Sequence, residues 1–205
     1  MITLKCFHGT SLENGKSILA EQHFRPSDND KLRMGNGAYF FCQAGEDDSY
    51  PIMCARELEK FHYKQGKHTD GYLILSCIVE CDEDKYLDLY QPDSLEYFHQ
   101  MRYILLDRSL EVDPDFKYKN AAVADTQVFD EIRKIREIGV IRCPQFFGMF
   151  EKESKFLFEK GERAYPKTFV PNVIMACVDI DNAVIKDITE VERRSYNNGY
   201  ETIVG

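Results

Sequence analysis

Hydrophobic and polar positions alternate in blocks along the chain and predict an ordered series of strands and helices. Short apolar runs rich in β-branched or aromatic residues predict strands at residues 2–7 (ITLKCF), 38–42 (AYFFC), 71–81 (GYLILSCIVEC) and 172–180 (NVIMACVDI). Apolar residues at helical spacing predict helices from about Ser11 to Gln22, from about Tyr50, from Asp93, and over residues 120–139.

Residues at the ends of these helices support the boundaries. Ser11 is a suitable N-cap for the first helix, and Asp93 or Ser94 for the third, because their side chains can accept a hydrogen bond from a free helical N–H. Gly139 is expected to end the fourth helix.

Strands at both ends of the chain, with helices between them, favour a mixed α+β sheet domain. Regular helical crossovers between the strands are missing, and the segment GNG at 35–37 has no third glycine. Both observations argue against a dinucleotide-binding Rossmann sheet. We therefore predict one α+β domain over residues 1–205, with flanking helices and a polar tail over about 191–205.

Composition agrees with a globular domain that has a substantial core. Of the 205 residues, 43% are hydrophobic and 30% are charged. The net charge of −9 argues against a broad electrostatic contact with nucleic acid, although a local basic groove remains open. No apolar run of membrane-spanning length and no signal peptide is recognisable. The expectation is a cytoplasmic protein without a membrane partner.

The chain has seven cysteines, which are expected to be buried thiols in a reducing compartment. Cys77 and Cys81 form a pair, but the sequence contains no matching second pair. No metal site is predicted.

Four features follow one another in the first fifty residues. They are FHGT at 7–10, LAEQHFRP at 19–26, GNGAYFF at 35–41, and Tyr50, which lies eleven residues after Tyr39. Together they resemble the catalytic domain of ADP-ribosyltransferases of the poly(ADP-ribose) polymerase type, the diphtheria-toxin-like group with a His-Tyr-x pattern. One departure is His23, which stands where the family has a glycine two residues before its arginine.

The resemblance implies a mixed, mostly antiparallel, split β-sheet and NAD⁺ as co-substrate. It places His8 at the adenosine-side ribose hydroxyl, and Gly9, followed by Thr10, at the nicotinamide carboxamide. Tyr39 would lie beside the nicotinamide ribose and Tyr50 would stack on the nicotinamide ring. Two further residues are expected at the cofactor: Arg25, beside the adenosine half, and Gly37.

The third catalytic position departs from the polymerases. If Asp179 matches the aspartate that ends the family's late strand, Ile174 stands where the polymerases have glutamate; a slip of one residue would give Val173 or Met175. None of these side chains can act as a base. A carboxylate from elsewhere, such as those of Glu46 to Asp48 or Glu153, would have to substitute.

The His-Tyr-Ile pattern implies transfer of single ADP-ribose units to a protein or nucleic-acid acceptor. In a bacterium such an enzyme would suit a toxin or defence role, with an inhibitor protein as a further partner. Two alternatives stay open: a catalytically silent domain that binds NAD⁺ or ADP-ribose, and an RNA 2′-phosphotransferase, for which no set of phosphate-binding arginines is recognisable. Taken alone, His8 could also be structural, and Gly35 and Gly37 could merely form a hairpin turn.

Overall fold

A computed structural model describes residues 1–27, 34–43, 47–112, 121–145, 173–197 and 200–203. The strands in these ranges are β1 Ile2–Ser11, β2 Ala38–Cys42, β3 Gly71–Cys81, β4 Tyr86–Asp88, β5 Val140–Gln145, β6 Val173–Val178, β7 Val184–Asn197 and β8 Tyr200–Ile203. The helices are α1 Leu12–Glu21, α2 Ser49–Lys64, α3 Pro92–Val112 and α4 Ala121–Ile135.

The strands form one sheet in the order β4-β5-β6-β2-β1-β3-β7-β8. Only the β4–β5 pair is parallel, and the other pairs among the described strands are antiparallel. The predicted single α+β domain with a mixed, mostly antiparallel sheet is therefore confirmed.

Each face of the sheet carries its own apolar core. One core joins the sheet to α2, α3 and α4, through residues such as Ala55, Phe98 and Phe129. The other contains Phe24 and Phe40, and Leu12, Ile18 and Leu19 of α1 pack against it. Alternation of side chains along each strand thus supplies both layers, and β1 and β2 contribute to both.

The helix ends confirm one predicted boundary and correct two. Ser11 caps α1, since its Oγ accepts a hydrogen bond from the Asn14 N–H at 3.2 Å. Helix α3 begins at Pro92, so Asp93 and Ser94 lie inside its first turn; proline at this point is favoured because its φ suits a helix and it has no N–H to leave unpaired. Helix α4 ends at Ile135, before Gly139, and the chain then runs through a buried Ile138 to the start of β5 at Val140.

The predicted polar tail is wrong for the described residues after Glu190. Residues up to Asn197 continue β7, which pairs with β3, and residues 200–203 form β8. The charged side chains that suggested a tail instead bind one another: Glu192 accepts hydrogen bonds from Arg56 of α2 and from Arg194. A polar strand is stable here because its charges are paired across elements.

The cysteines are buried and none forms a disulfide, as expected. No helix among the described residues is long and apolar enough to cross a membrane. Glu46 and Glu153, which the sequence offered as substitute carboxylates, lie outside the described residues.

Candidate functional site

The sheet opens between its two central strands. Strands β1 and β2 pair only through Cys6 with Cys42 and Phe7 with Phe41. Beyond this point β1 stays paired with β3 as far as Ser11, and β2 stays paired with β6 as far as Ala38. The two halves of the sheet therefore diverge, and among the described strands none pairs with the edge of β1 from His8 to Thr10 on this side.

A cavity of about 350 Å³ lies at this opening. Five of the predicted site residues contribute to its wall: His8, Gly9, Thr10, Arg25 and Tyr39. We call the part formed by β1 and β2 (His8, Gly9, Thr10, Ala38 and Tyr39) the strand wall. Residues 7–10 and 35–41, far apart in the sequence, thus meet at one site.

His8 bridges the opening. Its Nδ1 lies 2.8 Å from the main-chain oxygen of Tyr39. Because a carbonyl can only accept, Nδ1 carries the proton and Nε2 of the neutral ring is left as an acceptor. Burial lowers the pKa of His8 and outweighs the hydrogen bond to Tyr39, which raises it. The ring, packed against Phe24 and Phe40, is therefore a neutral hydrogen-bond acceptor at neutral pH.

Tyr39 links the strand wall to the glycine-containing turn before β2. Its hydroxyl donates to the Gly35 carbonyl at 2.7 Å and accepts from the Met34 N–H at 3.0 Å. Burial raises its pKa, so the phenol stays protonated. The hydroxyl thus positions the turn, while the Tyr39 side chain is half-buried at the cavity.

At Gly9 the backbone of β1 lies in close contact with helix α2. A Cβ on Gly9 would lie 2.8 Å from Cγ of Glu59 and 3.0 Å from the carbonyl oxygen of Ala55. The glycine was interpreted from sequence as allowing a ligand to approach the backbone. The structure adds a second reason, because the contact with α2 leaves no room for a side chain at this position.

Three predicted site residues do not line this cavity. Gly37 borders a neighbouring cavity, and a Cβ there would meet Sγ of Cys177 at 2.7 Å. Tyr50 packs, half-buried, against the core under α2–α4. Ile174 is buried in β6 opposite Pro144, three residues or about 10 Å along the strand from the partner of Tyr39.

Two of the acidic residues suggested as substitutes are engaged elsewhere. Asp47 accepts hydrogen bonds from the N–H and the hydroxyl of Ser49 at the start of α2, and these bonds lower its pKa. Asp48 binds Lys5 and Gln43. Neither lines the cavity.

The opposite side of the cavity is formed by residues that the sequence analysis did not identify. They are Glu59 and His62 of α2 and His68 of the following turn, which we call the helix wall. His23 also lines the cavity, so four of the five histidines in the chain meet there. The Glu-x-x-His spacing at 59–62, which places both side chains on one face of a helix, was the available signal.

Glu59 is a fully buried carboxylate, with none of its side chain exposed. Burial raises its pKa, but hydrogen bonds from Nδ1 of His62, at 3.3 Å, and Nδ1 of His68 outweigh that effect and hold the pKa below its ordinary value. The Glu59 carboxylate is therefore ionised at neutral pH.

Arg25 supplies a positive charge to the cavity lining. Its side chain is 78% exposed and lies 3.5 Å from Glu21, which also lines the cavity. This weak, solvated pair leaves the guanidinium available to an anionic group.

Comparisons with known proteins give one distant relative. The chain is 22% identical over 197 residues to an uncharacterized protein of Methanocaldococcus jannaschii, a match that covers 90% of this chain and 86% of that protein. No protein-family model matches the chain, and no solved structure matches it. The similarity spans nearly the whole domain but carries no functional information.

Proposed function

We propose that the cavity binds NAD⁺ and that the protein is an NAD⁺-dependent mono-ADP-ribosyltransferase. The observation that carries the proposal is the opening between β1 and β2, which brings His8, Gly9 and Thr10 together with Tyr39 at one cavity. These are the residues on which the resemblance to the transferases rests, and their meeting is not required by the motifs' spacing alone.

The unpaired edge of β1 suits the nicotinamide carboxamide. Successive residues of a strand direct their N–H and C=O groups to opposite sides, so at least one of His8, Gly9 and Thr10 directs both groups into the opening. A carboxamide presents an N–H donor and a C=O acceptor side by side and can bind such an edge as a neighbouring strand would. Nε2 of His8 would then accept a hydrogen bond from a ribose hydroxyl.

The remaining contacts follow from size and charge. A cavity of about 350 Å³ is at the small end for ligand sites and suits the nicotinamide ribose half, with Tyr39 beside the sugar. The pyrophosphate and adenosine would extend past Arg25, whose exposed guanidinium suits phosphate. Loss of nicotinamide passes through an oxocarbenium-like state, as glycoside hydrolysis does, so positioning contributes much of the catalysis.

One observation favours a second candidate, a silent domain that binds NAD⁺ or ADP-ribose. Ile174, aligned with the catalytic glutamate of the polymerases, is buried away from the cavity. The carboxylates at the cavity are instead Glu21 and Glu59, on α1 and α2. This arrangement argues against the synthesis of ADP-ribose chains. The experiment that follows therefore tests the transfer step.

The test uses NAD⁺ labelled in its adenylate half, with proteins, RNA and DNA offered separately as acceptors. The wild type is expected to release nicotinamide and label one acceptor class, and His8→Ala to be at least about tenfold slower, a loss of roughly 1.4 kcal/mol of transition-state stabilisation. His99→Ala, in an exposed position on α3, is the matched control and should retain full activity.

Three results separate the alternatives. Binding of NAD⁺ in a thermal-shift assay without nicotinamide release would replace the transferase by the silent domain. No binding at all would overturn both proposals. If His8→Ala loses activity and its melting temperature also falls well below that of the wild type, the residue has a structural role.

A further inference from the structure

The helix wall has the composition and geometry of a metal site. Glu59 and His62 lie three residues apart on α2, and His68 reaches back from the turn that follows the helix. One donor atom from each residue lies within 4.8 Å of the other two, and Nδ1 of His62 is 3.3 Å from Oε1 of Glu59. An ion held at roughly 2.0–2.2 Å needs donors about 3–3.5 Å apart, so small side-chain rotations suffice.

The buried carboxylate of Glu59 accepts hydrogen bonds from two imidazoles and would be stabilised further by a full positive charge. The carboxylate is withdrawn from water, while His62 and His68 are 28% and 25% exposed. An ionised carboxylate without solvent is costly unless it is paired or coordinates a metal. A divalent cation would supply that charge, and the partly exposed imidazoles leave it a path from the cavity.

The backbone is built to bring these donors together. His68 has a left-handed backbone, with φ of 50°, which is uncommon for a residue with a side chain and costs free energy. Two main-chain hydrogen bonds hold the turn. The Lys67 N–H donates to the His62 carbonyl at 2.9 Å, and the Gly71 N–H donates to the His68 carbonyl at 3.2 Å. Gly9, on the facing strand, lacks the Cβ that would displace Glu59.

From these three observations we infer that Glu59, His62 and His68 bind a divalent metal ion of the zinc type. Two imidazoles and one carboxylate are a donor set that Zn²⁺ accepts, and three protein ligands leave a coordination position open. That position faces the cavity, where a ligand oxygen or water would complete the shell. The inference does not depend on which organic ligand the cavity takes, and it replaces the expectation of no metal site.

The experiment measures metal alone, without NAD⁺. Elemental analysis of the purified chain comes first, followed by chelation and calorimetric titration with Zn²⁺. We expect one site per chain. Titration with Co²⁺, followed by visible absorption, should give the same stoichiometry and report the coordination geometry.

Variants identify the ligands. Glu59→Gln, His62→Ala and His68→Ala should each weaken Zn²⁺ binding by at least about 100-fold, since even residues that only support a ligand contribute roughly 10- to 100-fold. His99→Ala, away from the cavity, and His23→Ala, in the cavity but outside the cluster, should bind like the wild type.

The outcomes are decisive in both directions. The inference is supported if Zn²⁺ binding is lost in the three cluster variants but kept in His99→Ala and His23→Ala. Absence of Zn²⁺ and Co²⁺ binding, or binding that persists in His68→Ala and Glu59→Gln, overturns it and makes the cluster a hydrogen-bonded network that holds the turn after α2. Circular dichroism verifies folding, and His68→Gln replaces His68→Ala if the latter unfolds.

Discussion

The strand wall and the helix wall face the same cavity but are stabilised in different ways. In the strand wall, side chains bind main chain: His8 contacts the Tyr39 carbonyl, and the Tyr39 hydroxyl contacts Met34 and Gly35. In the helix wall, side chains bind side chains around the buried charge of Glu59. One wall is therefore neutral and fixed by the backbone, whereas the other is a charged centre.

This difference suggests a division of roles. A neutral wall with an unpaired strand edge suits the orientation of an uncharged amide and hydroxyls. A charged centre suits an ion or a developing charge. The two walls meet where Glu59 packs on Gly9. Substitutions in the sheet and at this contact can therefore separate the contribution of each wall to stability and to ligand binding.

The largest effect is expected for Ile174→Glu, which tests whether the ligand site reaches position 174 of β6, beyond the strand wall. Ile174 is 7% exposed and belongs to the apolar core. A carboxylate there would be withdrawn from water into apolar surroundings, and we expect a loss of more than about 3 kcal/mol in the free energy of unfolding. Urea denaturation measures it, with Ile174→Val as the control at about 1 kcal/mol.

A different result would move the functional boundary. If Ile174→Glu is as stable as Ile174→Val and alters NAD⁺ hydrolysis, position 174 faces the ligand after all, and the alignment with the polymerase glutamate gains support.

Gly9→Ala is expected to come next, because it forces the two walls apart. The new Cβ would meet Glu59 Cγ at 2.8 Å and the Ala55 carbonyl at 3.0 Å. Overpacking of this kind costs about 1–3 kcal/mol, and the upper part of that range is expected because one of the two contacts is main chain. Chemical denaturation gives the value.

A double-mutant cycle sharpens this prediction. In a Glu59→Ala background the first contact is gone, so Gly9→Ala should cost less than it does in the wild type. Equal costs in both backgrounds would mean that the walls are not coupled through Glu59.

Tyr39→Phe changes the strand wall alone and should have a moderate effect. The ring remains, but the Met34 N–H loses its acceptor and the Gly35 carbonyl loses its hydroxyl donor while keeping the contact with the Cys177 thiol at 3.8 Å. We expect a loss of about 1–2 kcal/mol and no change in Zn²⁺ affinity. Urea denaturation measures the loss of stability, and calorimetric titration measures the Zn²⁺ affinity. A large change in Zn²⁺ affinity would contradict the independence of the two walls.

The strand wall was predictable because its chemistry is local in sequence. His8, Gly9 and Thr10 follow an apolar strand, and Tyr39 follows a glycine-containing turn, so two short motifs contain most of the information. The positions of the central strands in the sequence and the Ser11 cap were predictable for the same reason.

The helix wall depends on contacts between distant residues. Glu59 resembles a solvated helix charge in sequence, next to the apolar positions of α2, and becomes buried only because α2 docks on Gly9, fifty residues earlier. Likewise the second half of β7 lacks an apolar run although it pairs with β3, and the charge of its Glu192 is paired with Arg56 of α2. The periodicity of apolar residues within a segment contains no information about such contacts between distant residues.

The smallest effect concerns the anchor of the helix wall. Arg56, three residues before Glu59 on α2, donates two hydrogen bonds to Glu192 of β7, at 3.0 and 2.6 Å. Burial raises the pKa of Glu192, but the hydrogen bonds from Arg56 and Arg194 outweigh it and lower the pKa. The unfolded chain therefore binds a proton at higher pH than the folded one does. Stability from this group is present above the unfolded pKa, near 4.3, and is lost as the pH falls through the folded pKa.

The comparison with Glu192→Gln isolates this effect from general acid unfolding. Wild type and variant should differ by about 0.5–1 kcal/mol at pH 7, and the difference should shrink as the pH falls below about 4. Urea denaturation at pH 7, 5 and 3 measures it. A difference that does not change with pH would mean that the Glu192 side chain acts through packing, and that the ion pair with Arg56 does not hold α2 against β7.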